Sequence, residues 1–399
     1  MSEALRPLPF HEALASALER LEPGLWRWFS SDSYGQKYAD NVRLELLRST
    51  YRLPRESHAK LYQIADEVAR AFELDLPLTL YQASGDDGLN ASLVFVPSEA
   101  HLVLRGSVEQ LLDEGELKAL FGHELAHHKF WTAEAGRFRV ADEVIEYAAR
   151  HRDRAPSHVQ SALRSRRWTE IYADRGALLA CGDLHTAVAL LVKVATGLAQ
   201  VDAAAYIAQA REAMAGKSDG GGSSTHPEVF VRVSALRAWH SGEGDAKVGE
   251  FVAGKLELEA LDLVQQTELT ELTQRFLERV LAPEWMRTEA TLAHAHRFFP
   301  DQPFSGAAHG AFELPEGGDS TREYFAYLLL DFALTDPEIE ELALAHAVHV
   351  ARELGVHAAL AKIARKELRM SAASWAEVEQ RGRELSKRGP SEPASEVSP

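Results

Sequence analysis

Apolar residues recur at helical spacing early in the chain, first Leu14, Leu18 and Leu21, then Leu61, Ile64, Ala65, Val68 and Phe72. This spacing predicts helices leading into a core between Pro9 and about Leu74. The period then changes. Leu78-Thr79-Leu80-Tyr81, Ala91-Ser92-Leu93-Val94-Phe95-Val96 and His101-Leu102-Val103-Leu104 are short strand-like runs, the first two separated by Ser84-Gly85-Asp86-Asp87-Gly88, and they predict a small sheet. Helical spacing resumes at Leu117, Leu120, Phe121 and Leu125, behind Asp113-Glu114-Gly115-Glu116, whose carboxylates suit the positive end of a helix. Glu134 to Arg167 reads as a polar, mostly helical insertion, and a second strong helix is expected from about Trp168 through Cys181.

The last third reads as helical throughout. A long helical pattern runs from about Gly249 to Arg287, and a Pro- and Gly-rich break at Pro300 to Gly318 precedes further helices. The pattern implies an α+β, predominantly helical protein. Its expected parts are an N-terminal helical segment (1–50), a mixed domain (51–245), a helical linker (246–300), a helical domain (301–388) and a disordered tail (389–399) rich in Pro, Ser and Glu.

Composition narrows the function classes. A chain of 399 residues with 46% hydrophobic content can bury a large core. A net charge of −17 argues against nucleic acid or anionic membrane as a general partner, because the phosphate term would be repulsive. The short basic run Arg164-Ser165-Arg166-Arg167 reads as a solvated helix face or an ion-pair partner. The most apolar stretch, Ala177 to Ala199, is broken by Asp183, His185 and Lys193, so stable membrane insertion is not expected. No secretory signal is visible, and the lone Cys181 excludes an intrachain disulfide; together these favour a cytoplasmic protein.

The chemistry lies in His123-Glu124-Leu125-Ala126-His127. On a helix, its two imidazoles stand one turn apart on one face with a carboxylate between them, which is a zinc site carrying its own general base. Catalytic zinc commonly takes two histidines and a glutamate and keeps one position open, and Glu170 in the second helix is the natural third ligand. Asp174, one turn later, can accept a hydrogen bond from the distal nitrogen of a liganding histidine and fix its tautomer. Zn2+ held by His123, His127 and Glu170 would activate a water, and Glu124 would take its proton and pass it to the leaving amine. His128 points away around the helix and reads as a surface or packing residue. His346 and His349 share a helical face but lack a further partner at metal spacing. Cys181 reads as a small buried residue.

The order Asn90-Ala91, Glu116-Leu117, His123-Glu124-Leu125-Ala126-His127, Glu170 to Asp174, and Thr225-His226-Pro227 with Arg232 resembles peptidase family M48, the HtpX-like and CAAX prenyl protease type gluzincins. The likeness covers roughly residues 50 to 240 and implies a zincin-like core that hydrolyses peptide or protein substrates. It also implies His226 as stabiliser of the tetrahedral oxyanion, the alternative being a cap on the following helix. Asn90 and Ala91 would form an edge strand that pairs with extended substrate, or else a plain core strand. Arg232 would sit near substrate or an acidic group of the site, or form an ordinary salt bridge. The chain departs from familiar relatives in showing no membrane helices. Within residues 301–388, Glu323 to Gly355 loosely resembles TerB-like helical domains, which implies a protein-interaction module, the alternative being a purely structural helical bundle. Two functions follow: a soluble zinc metalloendopeptidase, or a zinc-stabilised, catalytically latent protein that acts through its C-terminal helices.

Overall fold

A computed structural model describes residues 5–31, 35–84, 88–152, 154–216, 228–253, 256–306, 314 and 318–387. The chain divides into two compact units, Met1–Gly254 with Asp262–Val264, and Lys255–Leu261 with Gln265–Pro399.

The first unit is a four-stranded sheet among helices, which makes the fold α+β and predominantly helical. Its elements are α1 (Pro9–Leu21), α2 (Pro23–Phe29), α3 (Gly35–Ser49), β1 (Thr50–Arg52), α4 (Ala59–Ala71), β2 (Leu78–Ala83), β3 (Asn90–Val96), β4 (Glu99–Arg105), α5 (Val108–Leu111), α6 (Glu114–Arg150), α7 (Pro156–Cys181), α8 (Leu184–Thr196), α9 (Ala203–Ala215), α10 (Val229–His240) and α11 (Gly244–Ala253). The sheet order is β1-β2-β4-β3, with β2 and β4 parallel and the other two pairs antiparallel. β3 is therefore an edge strand. The three strands expected from sequence are present, and β1 joins them.

One sheet face supplies Leu80, Ala91, Leu102 and Leu104 to the main core, where Leu120, Phe121 and Leu125 of α6 also lie. Helix α6 starts where the acidic run placed it. Asp113 accepts a hydrogen bond from the Glu116 N–H at 2.9 Å, and Glu116 reciprocates with the Asp113 N–H at 3.0 Å, a capping box. Lys193, which interrupts the apolar run of α8, is buried against Glu116 at 2.7 Å. No helix of the described residues is long and apolar enough to cross a membrane.

The stretch from Glu134 to Arg167 is not a polar insertion. α6 breaks at Ala133–Gly136, where Glu134, Ala135 and Gly136 all have positive φ, and then continues to Arg150. That second half buries Phe138, Val140, Ala141, Val144, Ile145 and Ala148. Their three-to-four spacing is an apolar face hidden among charges that pair locally, such as Arg139 with Glu143 at 2.8 Å. α7 begins at Pro156 rather than near Trp168. Proline with its fixed φ opens it, and Gly182, at φ 74°, closes it.

In the second unit, α12 (Leu263–Val280), α13 (Glu289–Phe298), α14 (Asp319–Ala333), α15 (Glu340–Glu353), α16 (His357–Glu367) and α17 (Ala372–Lys387) form an all-α body. The long pattern expected over Gly249 to Arg287 is divided, because α11 ends at Ala253 and α12 starts at Leu263. Leu272, Phe276, Leu277 and Val280, in the stretch expected to be a linker, belong to the core formed with Phe325, Phe332 and Val348. The tail at 389–399 lies outside the described residues, as does most of the break before α14.

Candidate metal and catalytic site

The site forms where α6 crosses α7, and two glycines set the closeness of that crossing. A Cβ on Gly122 would lie 2.7 Å from the Gly176 carbonyl oxygen and nearer still to the Ala180 methyl. A Cβ on Gly176 would lie 2.7 Å from the Gly122 carbonyl oxygen and would overlap the Ala126 methyl. Backbone meets backbone there, which brings the histidines following Gly122 against the acids preceding Gly176. Sequence reasoning passed over both glycines; the available signal was a glycine inside a helical pattern, which costs about 1 kcal/mol against alanine and calls for a packing reason.

His123, His127 and Glu170 each offer a ligand atom, and these atoms lie within 4.8 Å of one another. His123 Nε2 stands 3.7 Å from Glu170 Oε2, and His127 Nε2 stands 4.0 Å from Glu170 Oε1. Such spacing suits donors that would each hold zinc at about 2 Å. Burial pulls the His123 imidazole down, but its bond to Asp174 and the nearby Glu170 more than reverse this and hold it above its ordinary value. His127 is driven to about 4 by burial and by His123, so it presents a neutral ring able to ligate. The donor set fits zinc.

Behind these candidate ligands lies a network of charges. Asp174, which is 1% exposed, meets His123 Nδ1 at 3.2 Å, so that nitrogen carries the shared proton and Nε2 is left facing Glu170. Arg232 of α10 donates to both Asp174 oxygens, at 2.8 and 2.5 Å, and reaches Glu170 Oε2 at 3.1 Å. Burial would raise Asp174, yet Arg232 and His123 bring it to about 2. The same two carboxylates hold the Arg232 guanidinium above its usual value against the effect of burial. Expected near substrate or an acid, Arg232 thus has its guanidinium engaged by Asp174 and Glu170.

Glu124 is buried, and its Oε2 accepts the Leu93 N–H of β3 at 2.7 Å. Burial raises its carboxyl to about 7, with Glu170 adding to the shift and His123 opposing it. Leu93 was not anticipated, because a backbone donor leaves no mark in sequence. Asn90 is exposed at the start of β3 and its side-chain oxygen accepts the Ala91 N–H at 2.9 Å, while Ala91 itself is buried on this edge strand. His226, with Thr225 and Pro227, lies outside the described residues. Of the two readings for His128, surface or packing, the structure has packing: it is fully buried, and its Nε2 contacts the Val96 carbonyl at 3.2 Å, tying α6 to the end of β3. His346 contacts the Val280 carbonyl at 3.0 Å and His349 pairs with Glu353 at 3.3 Å. Among the described residues, the only group able to hold a metal is His123, His127 and Glu170.

No curated protein matches the chain. Residues 55–133 match Peptidase family M48. The match takes in β2 to β4 and the first half of α6, including His123, Glu124 and His127, and ends where α6 breaks; Glu170, Asp174 and Arg232 stand beyond it. Through this segment, the chain is similar to peptidase family M48.

Proposed function

We propose that the protein is a zinc-dependent metalloendopeptidase with Glu124 as general base. The observation that carries this reading is the convergence of His123 and His127 of α6 with Glu170 of α7, their ligand atoms within 4.8 Å, beside the buried carboxylate of Glu124. Bound there, zinc would supply Lewis-acid polarisation of the scissile carbonyl and would lower the pKa of the attacking water towards 7.

The remaining work falls to the chain's own side chains. Glu124, held at about 7 by burial, is poised to accept the water's proton near neutral pH and to return it to the leaving amine. Asp174 keeps the His123 proton on Nδ1, and Arg232 fixes Asp174 and Glu170 together, so it organises the ligands instead of gripping substrate. The edge strand β3, whose Leu93 N–H is taken by Glu124, would receive an extended peptide as an added strand through its remaining edge groups. His226 is proposed as an oxyanion donor by likeness to the family.

The test is cleavage of an unfolded protein by wild type and by Glu124→Gln. We expect wild type to cleave, and Glu124→Gln to lose at least about a hundredfold in rate while still binding zinc. Undiminished cleavage by Glu124→Gln contradicts the role of Glu124. A wild type that binds zinc and cleaves nothing would instead point to a latent site, with the helices of residues 301–388 serving an interaction.

A further inference from the structure

A row of rings runs from the ligands to the edge strand. His123 and His127 meet edge to face with centroids 5.0 Å apart, and Trp131 lies stacked beside His127 at 5.5 Å with 26° between the planes. Phe95 of β3 closes edge-on against Trp131 at 5.4 Å and also touches the His128 ring at 5.1 Å.

The two ligand histidines differ in what orients them. His123 has Asp174 on its distal nitrogen, whereas His127 Nδ1 is buried with no hydrogen-bond partner among the described residues. A liganding imidazole ordinarily donates its second N–H to a carboxylate, carbonyl or water, which fixes the ring plane and the tautomer. With no side-chain or backbone partner for Nδ1 among the described residues, contacts with the faces and edges of the His127 ring set its rotation. Trp131 stands four residues later, on the same side of α6, and lies nearly parallel to the imidazole. Its own Nε1 is buried without a hydrogen-bond partner among the described residues, so packing also holds the indole. Phe95 supplies part of that packing from the neighbouring strand.

We infer that Trp131 is the positioning residue for His127, setting the imidazole plane by stacking so that Nε2 faces Glu170. The indole meets no reacting atom; it acts through the ligand. This inference rests on the zinc reading.

The experiment compares full-length wild type, Trp131→Leu, Trp131→Phe and His123→Ala. Zinc affinity is measured by competition with a chromophoric chelator, and ligand geometry by the visible spectrum of the cobalt-loaded protein. Trp131→Leu is expected to bind zinc about tenfold more weakly, within the range for lost support of a ligand, and to show an altered cobalt spectrum. Trp131→Phe, which keeps a stacking ring, is expected to retain the wild-type spectrum and an affinity within about threefold. Wild-type affinity and spectrum in a folded Trp131→Leu overturn the inference, as does a Trp131→Phe that behaves like Trp131→Leu. Should Trp131→Leu fail to fold, Phe95→Leu removes the edge-on support without altering α6. A weaker zinc complex with a shifted spectrum upholds the inference there, and unchanged binding overturns it. His123→Ala keeps the two claims apart, because binding that survives its loss defeats the zinc reading itself.

Discussion

The two units bury different kinds of side chain. In the first, Glu116, Glu124, Arg164, Asp174, Arg175, Lys193 and Asp262 are all buried, whereas the buried polar residues described in the second are Gln265, Thr273, Thr291, Thr321 and His346, none carrying a fixed charge. Burying an ion costs several kcal/mol unless it is paired with good geometry. Most in the first unit are: Glu116 with Lys193, Arg164 with Asp262, Arg175 with Asp245, and Asp174 with Arg232. Glu124 differs, since its carboxylate is held by a backbone N–H. Both units bring helices together at glycine, at Gly122 and Gly176 in one and in the other at Gly382, where a Cβ would lie 2.8 Å from the Ala345 carbonyl oxygen. Close packing is thus common to both, and buried charge marks the unit with the candidate site.

The largest expected effect breaks the charge network. Asp174→Asn leaves Arg232 with only Glu170 and releases His123, so it should cost about 4 kcal/mol in chemical denaturation and weaken zinc binding at least about tenfold. A cost under about 1 kcal/mol would show that the network does not hold α10 to α7.

Next come the glycine crossings. Gly176→Ala and Gly382→Ala should each cost about 2 kcal/mol through overpacking, but only Gly176→Ala should weaken zinc in a chelator competition, because only that crossing carries the proposed ligands. Equal weakening by both would remove the distinction between the units.

The smallest effect probes the neutral core of the second unit. His346→Gln should cost about 1 kcal/mol at pH 7 through its bond to the Val280 carbonyl. Burial holds His346 at about 4, below its ordinary 6.5, so the folded chain keeps it neutral where the unfolded chain takes up a proton. Its contribution is therefore lost as pH falls from about 6.5 towards 4, and His346→Gln should lose less stability than wild type over that window. Denaturation midpoints at pH 7 and pH 5 check this.

Sequence made much of this legible where pattern and chemistry coincide. The alternation to short apolar runs announced β2, β3 and β4, and Asp113 with Glu116 announced the start of α6. The spacing of His123, His127, Glu170 and Asp174 brought those residues into one candidate group, and the structure places them together. β1 escaped because it has three residues and little burial. The second half of α6 was legible as helix, but its buried face escaped because Arg139, Glu143 and Glu146 masked the apolar positions, and their pairing is visible only in three dimensions. Gly122 and Gly176 look like helix weaknesses until the opposing backbone is seen. Leu93 contributes through a main-chain N–H, a group every strand residue possesses.

Zinc titration of the metal-free full chain, comparing wild type with Glu170→Ala, tests the central claim most directly. About one zinc per wild-type chain is expected, with an affinity lower by at least about a hundredfold in Glu170→Ala and His346→Gln indistinguishable from wild type. Wild-type affinity in Glu170→Ala, or no zinc bound by wild type, would contradict that claim.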